Sequence, residues 1–68
     1  MEHAREAVQR DTLRRALAIV GGIAGLARYL GMTPGALVVL LDGDAEIPTW
    51  AFIKAADLVQ AVEGRART

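Results

Sequence analysis

The chain has 68 residues, eight basic and eight acidic side chains with a net charge of zero, and no cysteine. This length allows one domain, and the lack of cysteine excludes a disulfide framework or a thiolate metal site. Hydrophobic residues make up 53% of the chain, so either alanine inflates the content or a second copy or partner covers apolar surface.

The first predicted helix ends at Val20, because the Gly21-Gly22 pair that follows favours helix termination. Asp11 or Thr12 could cap a helix that begins at Leu13; alternatively, the helix extends back through the N-terminal residues, which contain no glycine or proline. The start of the chain is polar and mixed in charge, which argues against a secretory signal and favours the cytoplasm.

Two short helices follow. The second predicted helix spans Ile23 to Leu30 and is stopped by Gly31. Thr33 and Pro34 then suit the cap and first position of a third helix, which runs to about Leu41 before Gly43. This apolar region is interrupted by an arginine, glycines and a proline, so we do not expect a membrane span.

A polar, acidic loop over residues 42–48 leads to the fourth predicted helix, Thr49 to Val62. One face of this helix is expected to carry Phe52, Ala55, Ala56, Val59 and Val62, widened by Trp50, Ile53 and Leu58. Residues 64–68 are expected to fray. No segment alternates as a strand does. The expected fold is therefore all-α, an orthogonal bundle of four helices (three to five), with one domain over residues 1–68 and an ordered core over about 12–62.

The second and third helices have the spacing of a helix-turn-helix from Ile23 to Leu41. Ala27 is small where the helices cross, Gly31 supplies the turn, and Met32 closes it. Four leucines are expected to face inward on either side of the turn: Leu26, Leu30, Leu37 and Leu40.

The string LARYLGMTPGALVVLLDG, residues 26–43, resembles the same two helices of bacterial Cro-like and lambda-repressor-like helix-turn-helix proteins. The resemblance extends over about residues 12–62. It implies a DNA-binding transcription regulator, with the third helix, about 34–41, in the major groove and a homodimer as the binding form. The positions that would face bases or phosphates are Thr33, Pro34, Gly35, Val38 and Val39.

These positions depart from the family pattern, because only Thr33 has a side chain that forms hydrogen bonds, whereas base readout needs donors and acceptors. Residues 31–50 carry three acidic and no basic side chains. The candidates for phosphate contact are Arg14, Arg15 and Arg28, which could equally form a solvated face.

A protein-interaction or dimerisation module on a helix-turn-helix that no longer binds DNA is the alternative function. Val38 and Val39 would then form a contact surface, unless another part of the chain covers one of them. Trp50 could anchor an interface or lie in the core.

Enzymatic chemistry is not indicated. His3 is the only histidine, no nucleophile–base pair is evident, and Asp42, Asp44 and Glu46 lack the spacing of a calcium loop. We therefore expect no catalytic activity, no metal, no cofactor and no small-molecule substrate.

Overall fold

Four helices form the part of the chain that the computed structural model describes, residues 2–66, with side chains described for residues 5–65. They are α1 (Glu2–Val20), α2 (Ile23–Leu30), α3 (Pro34–Asp42) and α4 (Thr49–Ala66), and no strand occurs between residues 2 and 66. The predicted all-α four-helix bundle is confirmed.

Helix α1 is continuous and does not begin at a cap near its middle. The hydroxyl of Thr12 donates a hydrogen bond to the carbonyl of Val8 at 3.0 Å, which is the pattern of a threonine inside a helix. With no glycine or proline before Gly21, nothing interrupts the helix between Glu2 and Val20.

The helix-turn-helix is formed by α2, α3 and the turn between them. Gly31 adopts a left-handed conformation with φ of 79°, and its N–H donates to the carbonyls of Ala27 and Arg28. The side-chain oxygen of Thr33 then accepts a hydrogen bond from the Ala36 N–H at 3.1 Å, and Pro34 occupies the first turn of α3. The two helices meet at 102°, within the range typical of the motif.

Alanine substitution at two glycines tests the left-handed backbone conformation of Gly31. Gly31→Ala is expected to destabilise the domain by about 1 kcal/mol, because alanine is disfavoured in the left-handed region. Gly35→Ala is the matched control: Gly35 lies in α3 with open space around its Cα, so alanine should stabilise by about 0.5 kcal/mol. Urea unfolding followed by circular dichroism measures both; equal effects of the two changes would contradict the assigned turn.

No single helix in residues 2–66 has both the length and the hydropathy needed to cross a membrane. Helices α2 and α3 reach these limits only when they are taken together, and they are bent at the turn.

The last turn of α3 packs against α1 through an arginine and a glycine. Gly43 has φ of 85° and ends α3 in the left-handed conformation. The guanidinium of Arg10 covers this glycine so closely that a Cβ atom on Gly43 would lie 3.1 Å from the arginine Cζ. The Arg10 Nε is buried there without a hydrogen-bond partner, so Arg10 contributes here through packing.

The core lies at the centre of the four helices and is built from small and branched aliphatic side chains. Its buried members are Leu13, Ala16, Leu26, Ala27, Leu30, Leu37, Leu40, Ile47, Ala51, Ala55 and Val59. Met32 packs against this cluster and is partly buried, as predicted for the turn.

The predicted inner face of α4 needs correction at its two ends. Val62 is 44% exposed, although its spacing placed it with the core residues. Ala51 is fully buried instead, and Ile47 in the acidic loop is also buried. The buried residues of α4 thus begin at Ala51, one residue before Phe52, and recur every four residues at Ala55 and Val59. Ala51 and Ala55 are small enough for close helix contact.

Helices α1 and α4 form the most extensive helix–helix contact of the fold and run side by side in the same direction. Near their starts, Arg5 and Val8 share a groove with Phe52 and Ile53; further along, Arg15 lies beside the late turns of α4. The contact begins before residue 12 of α1 and continues beyond residue 62 of α4. Both helices therefore extend past the core range of about 12–62 that the sequence predicted.

Candidate interaction surface on the helix-turn-helix

The outward side of α3 is apolar and open. We call it the outer α3 face, and it consists of Gly35, Val38, Val39 and Asp42, which project away from the buried Leu37 and Leu40. Val38 and Val39 are each 41% exposed, so neither is covered by α4 or by the described part of the N-terminal helix. The open space around Gly35 would let another surface approach the helix backbone closely.

The outer α3 face offers almost no side-chain group for base recognition. The hydroxyl oxygen of Thr33 already caps α3, and Pro34 has no N–H to donate. The face ends at Asp42, and the exposed Asp44 and Glu46 follow in the loop. Carboxylates at this end would repel phosphate groups.

Of the three arginines proposed for phosphate contact, two lie on α1 and one lies on α2. Arg15 is directed toward α4: its Nε lies 3.0 Å from a carboxylate oxygen of Asp11, and its Nη1 lies 3.8 Å from Glu63. Arg14 is the residue before Arg15 and therefore points about 100° away from it around the helix. Arg28 is exposed in the last turn of α2, and of the three it alone is close in the chain to the start of α3.

A contact between α2 and α4 was not apparent from the sequence. The Nζ of Lys54 donates to the backbone carbonyl of Tyr29 at 3.0 Å and lies 5.3 Å from the centre of its ring. In return, the Tyr29 hydroxyl donates to the Lys54 carbonyl at 3.4 Å. The lysine thus satisfies a carbonyl at the end of α2. Only the tertiary fold brings these residues together, since 25 positions separate them.

Trp50 lies outside the core and is 51% exposed. It precedes Lys54 by one turn, so the indole and the Lys54–Tyr29 contact share one side of α4. Of the two roles considered for this tryptophan, a surface contact is the one compatible with its exposure.

No group of three or more potential metal ligands occurs among the described residues; the side chain of His3 lies outside them. Comparison with protein-family models, curated proteins and solved structures found no match to this chain.

Proposed function

We propose that this chain is a protein-interaction module on a helix-turn-helix scaffold and that it uses the outer α3 face to contact its partner. The observation that carries the proposal is the exposure of Val38 and Val39 on the surface that would otherwise read DNA. Adjacent aliphatic side chains on one exposed surface lower the free energy of association when a partner removes them from water.

The charges around this surface indicate the chemistry of the partner. Asp42, Asp44 and Glu46 lie at one end of the outer α3 face, and no basic residue occurs from residue 31 to 50. A complementary protein surface would therefore combine a small apolar ridge with lysine or arginine at one end. The absence of cysteine suits a reducing compartment, and we place this interaction in the cytoplasm.

A photo-crosslinking amino acid in place of Val38 tests this proposal in the cells that produce the protein. We expect a discrete protein adduct that disappears when Val39 is changed to Asp, because a carboxylate would be desolvated in the interface. The matched control places the crosslinker at Ala18, which is exposed on α1. No adduct at position 38, or the same adducts at position 18, would contradict the proposal.

DNA binding is the second candidate function. It is favoured by the 102° arrangement of α2 and α3, by the exposed Arg28 at the turn, and by the resemblance to Cro-like regulators. Titration of mixed genomic DNA at low and moderate salt separates the two functions, since phosphate-driven affinity falls steeply as salt rises. If the chain is a protein-interaction module, we expect no DNA binding at low salt. Salt-dependent binding that Arg28→Ala weakens would establish the DNA-binding function instead.

A further inference from the structure

The three most exposed large apolar side chains between residues 5 and 65 adjoin one another on α1 and α4. They are Val8, Ile53 and Trp50, which are 60%, 52% and 51% exposed. Val8 and Ile53 line the same opening of 580 Å³ between the two helices, together with Phe52. Trp50 precedes Ile53 by three residues and is therefore its neighbour on the surface of α4. We call Val8, Trp50 and Ile53 the Trp50 surface.

Positive charge lies at two edges of the Trp50 surface. On α4, Lys54 is turned about 40° from Trp50 around the helix, on the side away from Ile53. At the other edge, Arg5 belongs to the polar rim of the opening between α1 and α4. Among the described residues, no carboxylate lies within ion-pair distance of either cation. A partner that brings carboxylates to these two edges would therefore be complementary in charge.

The ammonium of Lys54 is held in place before any partner binds. Its Nζ donates to the Tyr29 carbonyl at 3.0 Å and lies 5.3 Å from the centre of the tyrosine ring. An ammonium has three donors, so two remain for an acceptor outside the chain. Because these contacts already restrict the side chain, less conformational entropy is lost when a carboxylate binds to it.

Carboxylates near the Trp50 surface differ in how they affect its charge. Glu6 is turned about 160° from Val8 around α1, and Asp11 binds Arg15 at 3.0 Å. Asp57 is exposed and lies on the outer side of α4, one turn after the cation of that helix. It opposes the approach of an acidic partner, so its removal tests the charge argument.

We propose that the Trp50 surface binds an acidic amphipathic helix of another protein. Aliphatic side chains of that helix enter the opening between α1 and α4 and cover Trp50, and carboxylates beside its apolar stripe pair with Arg5 and Lys54. Tryptophan is enriched among the residues that dominate the energy of protein interfaces. The Trp50 surface shares no residue with the outer α3 face, so this partner is additional to the one proposed above.

An anionic membrane fits this surface less well than a helix does. The apolar opening lies between two helices, a shape that receives the side chains of a third helix. The chain has a net charge of zero, which gives no long-range attraction to anionic lipid. The ammonium of Lys54 is also bound to α2 instead of extending freely toward lipid headgroups.

The fluorescence of Trp50 reports directly on this surface, because the chain has no other tryptophan. The probe is a designed amphipathic helix of leucine and glutamate, and its matched control has lysine in place of every glutamate. Titration of the glutamate peptide into the whole chain should shift the Trp50 emission to shorter wavelength, since the indole leaves water. The lysine peptide should cause no shift, because it brings like charges to the two cations.

Variants studied with a labelled glutamate peptide locate the site. Lys54→Met should weaken binding about tenfold through loss of a charge-assisted contact, and Asp57→Asn should strengthen it about twofold. Ile53→Ser should weaken binding about tenfold through loss of apolar contact. Val62→Ser is the matched control: Val62 is also exposed, but nine positions later it lies on the opposite side of α4, and binding should not change. Unchanged circular dichroism would confirm that the variants fold.

Four results would overturn the proposal. The first is no emission shift with the glutamate peptide, and the second is equal weakening by Ile53→Ser and Val62→Ser. A shift that phosphatidylserine vesicles cause and the glutamate peptide does not would assign the surface to a membrane. A shift on concentrating the protein alone would assign it to a second copy. The outer α3 face takes no part in these measurements, so their failure leaves the crosslinking test at Val38 unaffected.

Discussion

Leu37→Ala is expected to cause the largest loss of stability of any substitution described for this domain. Leu37 is fully buried at the centre of the fold, and truncation of a buried leucine costs about 2–5 kcal/mol from lost burial and the cavity left behind. A chain of this length has a total stability of roughly 3–10 kcal/mol. Urea unfolding followed by circular dichroism should show a large decrease in the midpoint.

Val38→Ala is the matched control for Leu37→Ala, since it shortens the next side chain in the same helix. Val38 is exposed, so its loss should change the free energy of unfolding by less than about 0.5 kcal/mol. A larger effect at Val38 than at Leu37 would mean that α3 presents the opposite face to the core, and the outer α3 face would then be misassigned.

Gly43→Val is expected to have the second-largest effect, a loss of about 2–3 kcal/mol. The residue has φ of 85°, which a β-branched side chain adopts only with strain. The new Cβ would also displace the Arg10 guanidinium, which lies 3.1 Å from the Cβ position. The free energy of unfolding from urea titration measures the total cost.

Arg10→Ala separates the two causes at Gly43. Combined with Gly43→Val, it should remove the collision but leave the backbone strain, so the two free-energy changes should add to more than the double variant shows. Strict additivity would indicate that the guanidinium does not pack on the glycine.

The helix-turn-helix could be predicted from the sequence because its signals are local. Each signal affects only the backbone within a few residues of it: the turn at Gly31, the cap at Thr33 and the start of α3 at Pro34. The inward leucines follow helical spacing, and the structure buries all four. The same spacing places Val38 and Val39 outside the line of inward leucines, but only the tertiary fold shows that no other helix covers them.

Features that depend on tertiary contact could not be predicted. Ala51 carries too small a hydrophobic side chain to indicate a core position, and Ile47 is buried although it lies in an acidic loop. The packing of Arg10 on Gly43 and the pairing of Lys54 with Tyr29 join residues far apart in sequence. The direction of Arg15 depends on Glu63 in the same way. Helical periodicity contains no information on which helix becomes the neighbour.

The pairing of α1 with α4 also sets the order in which the domain can form during synthesis. Contacts within the α2–α3 unit join nearby residues and can form early, whereas Arg15 and Glu63 come together only by closing a long loop. A nascent chain that has released α1, α2 and α3 still lacks Ala51, Ala55 and Val59. Its apolar residues remain exposed until α4 leaves the ribosome, so the core is completed only when α4 follows the other three helices.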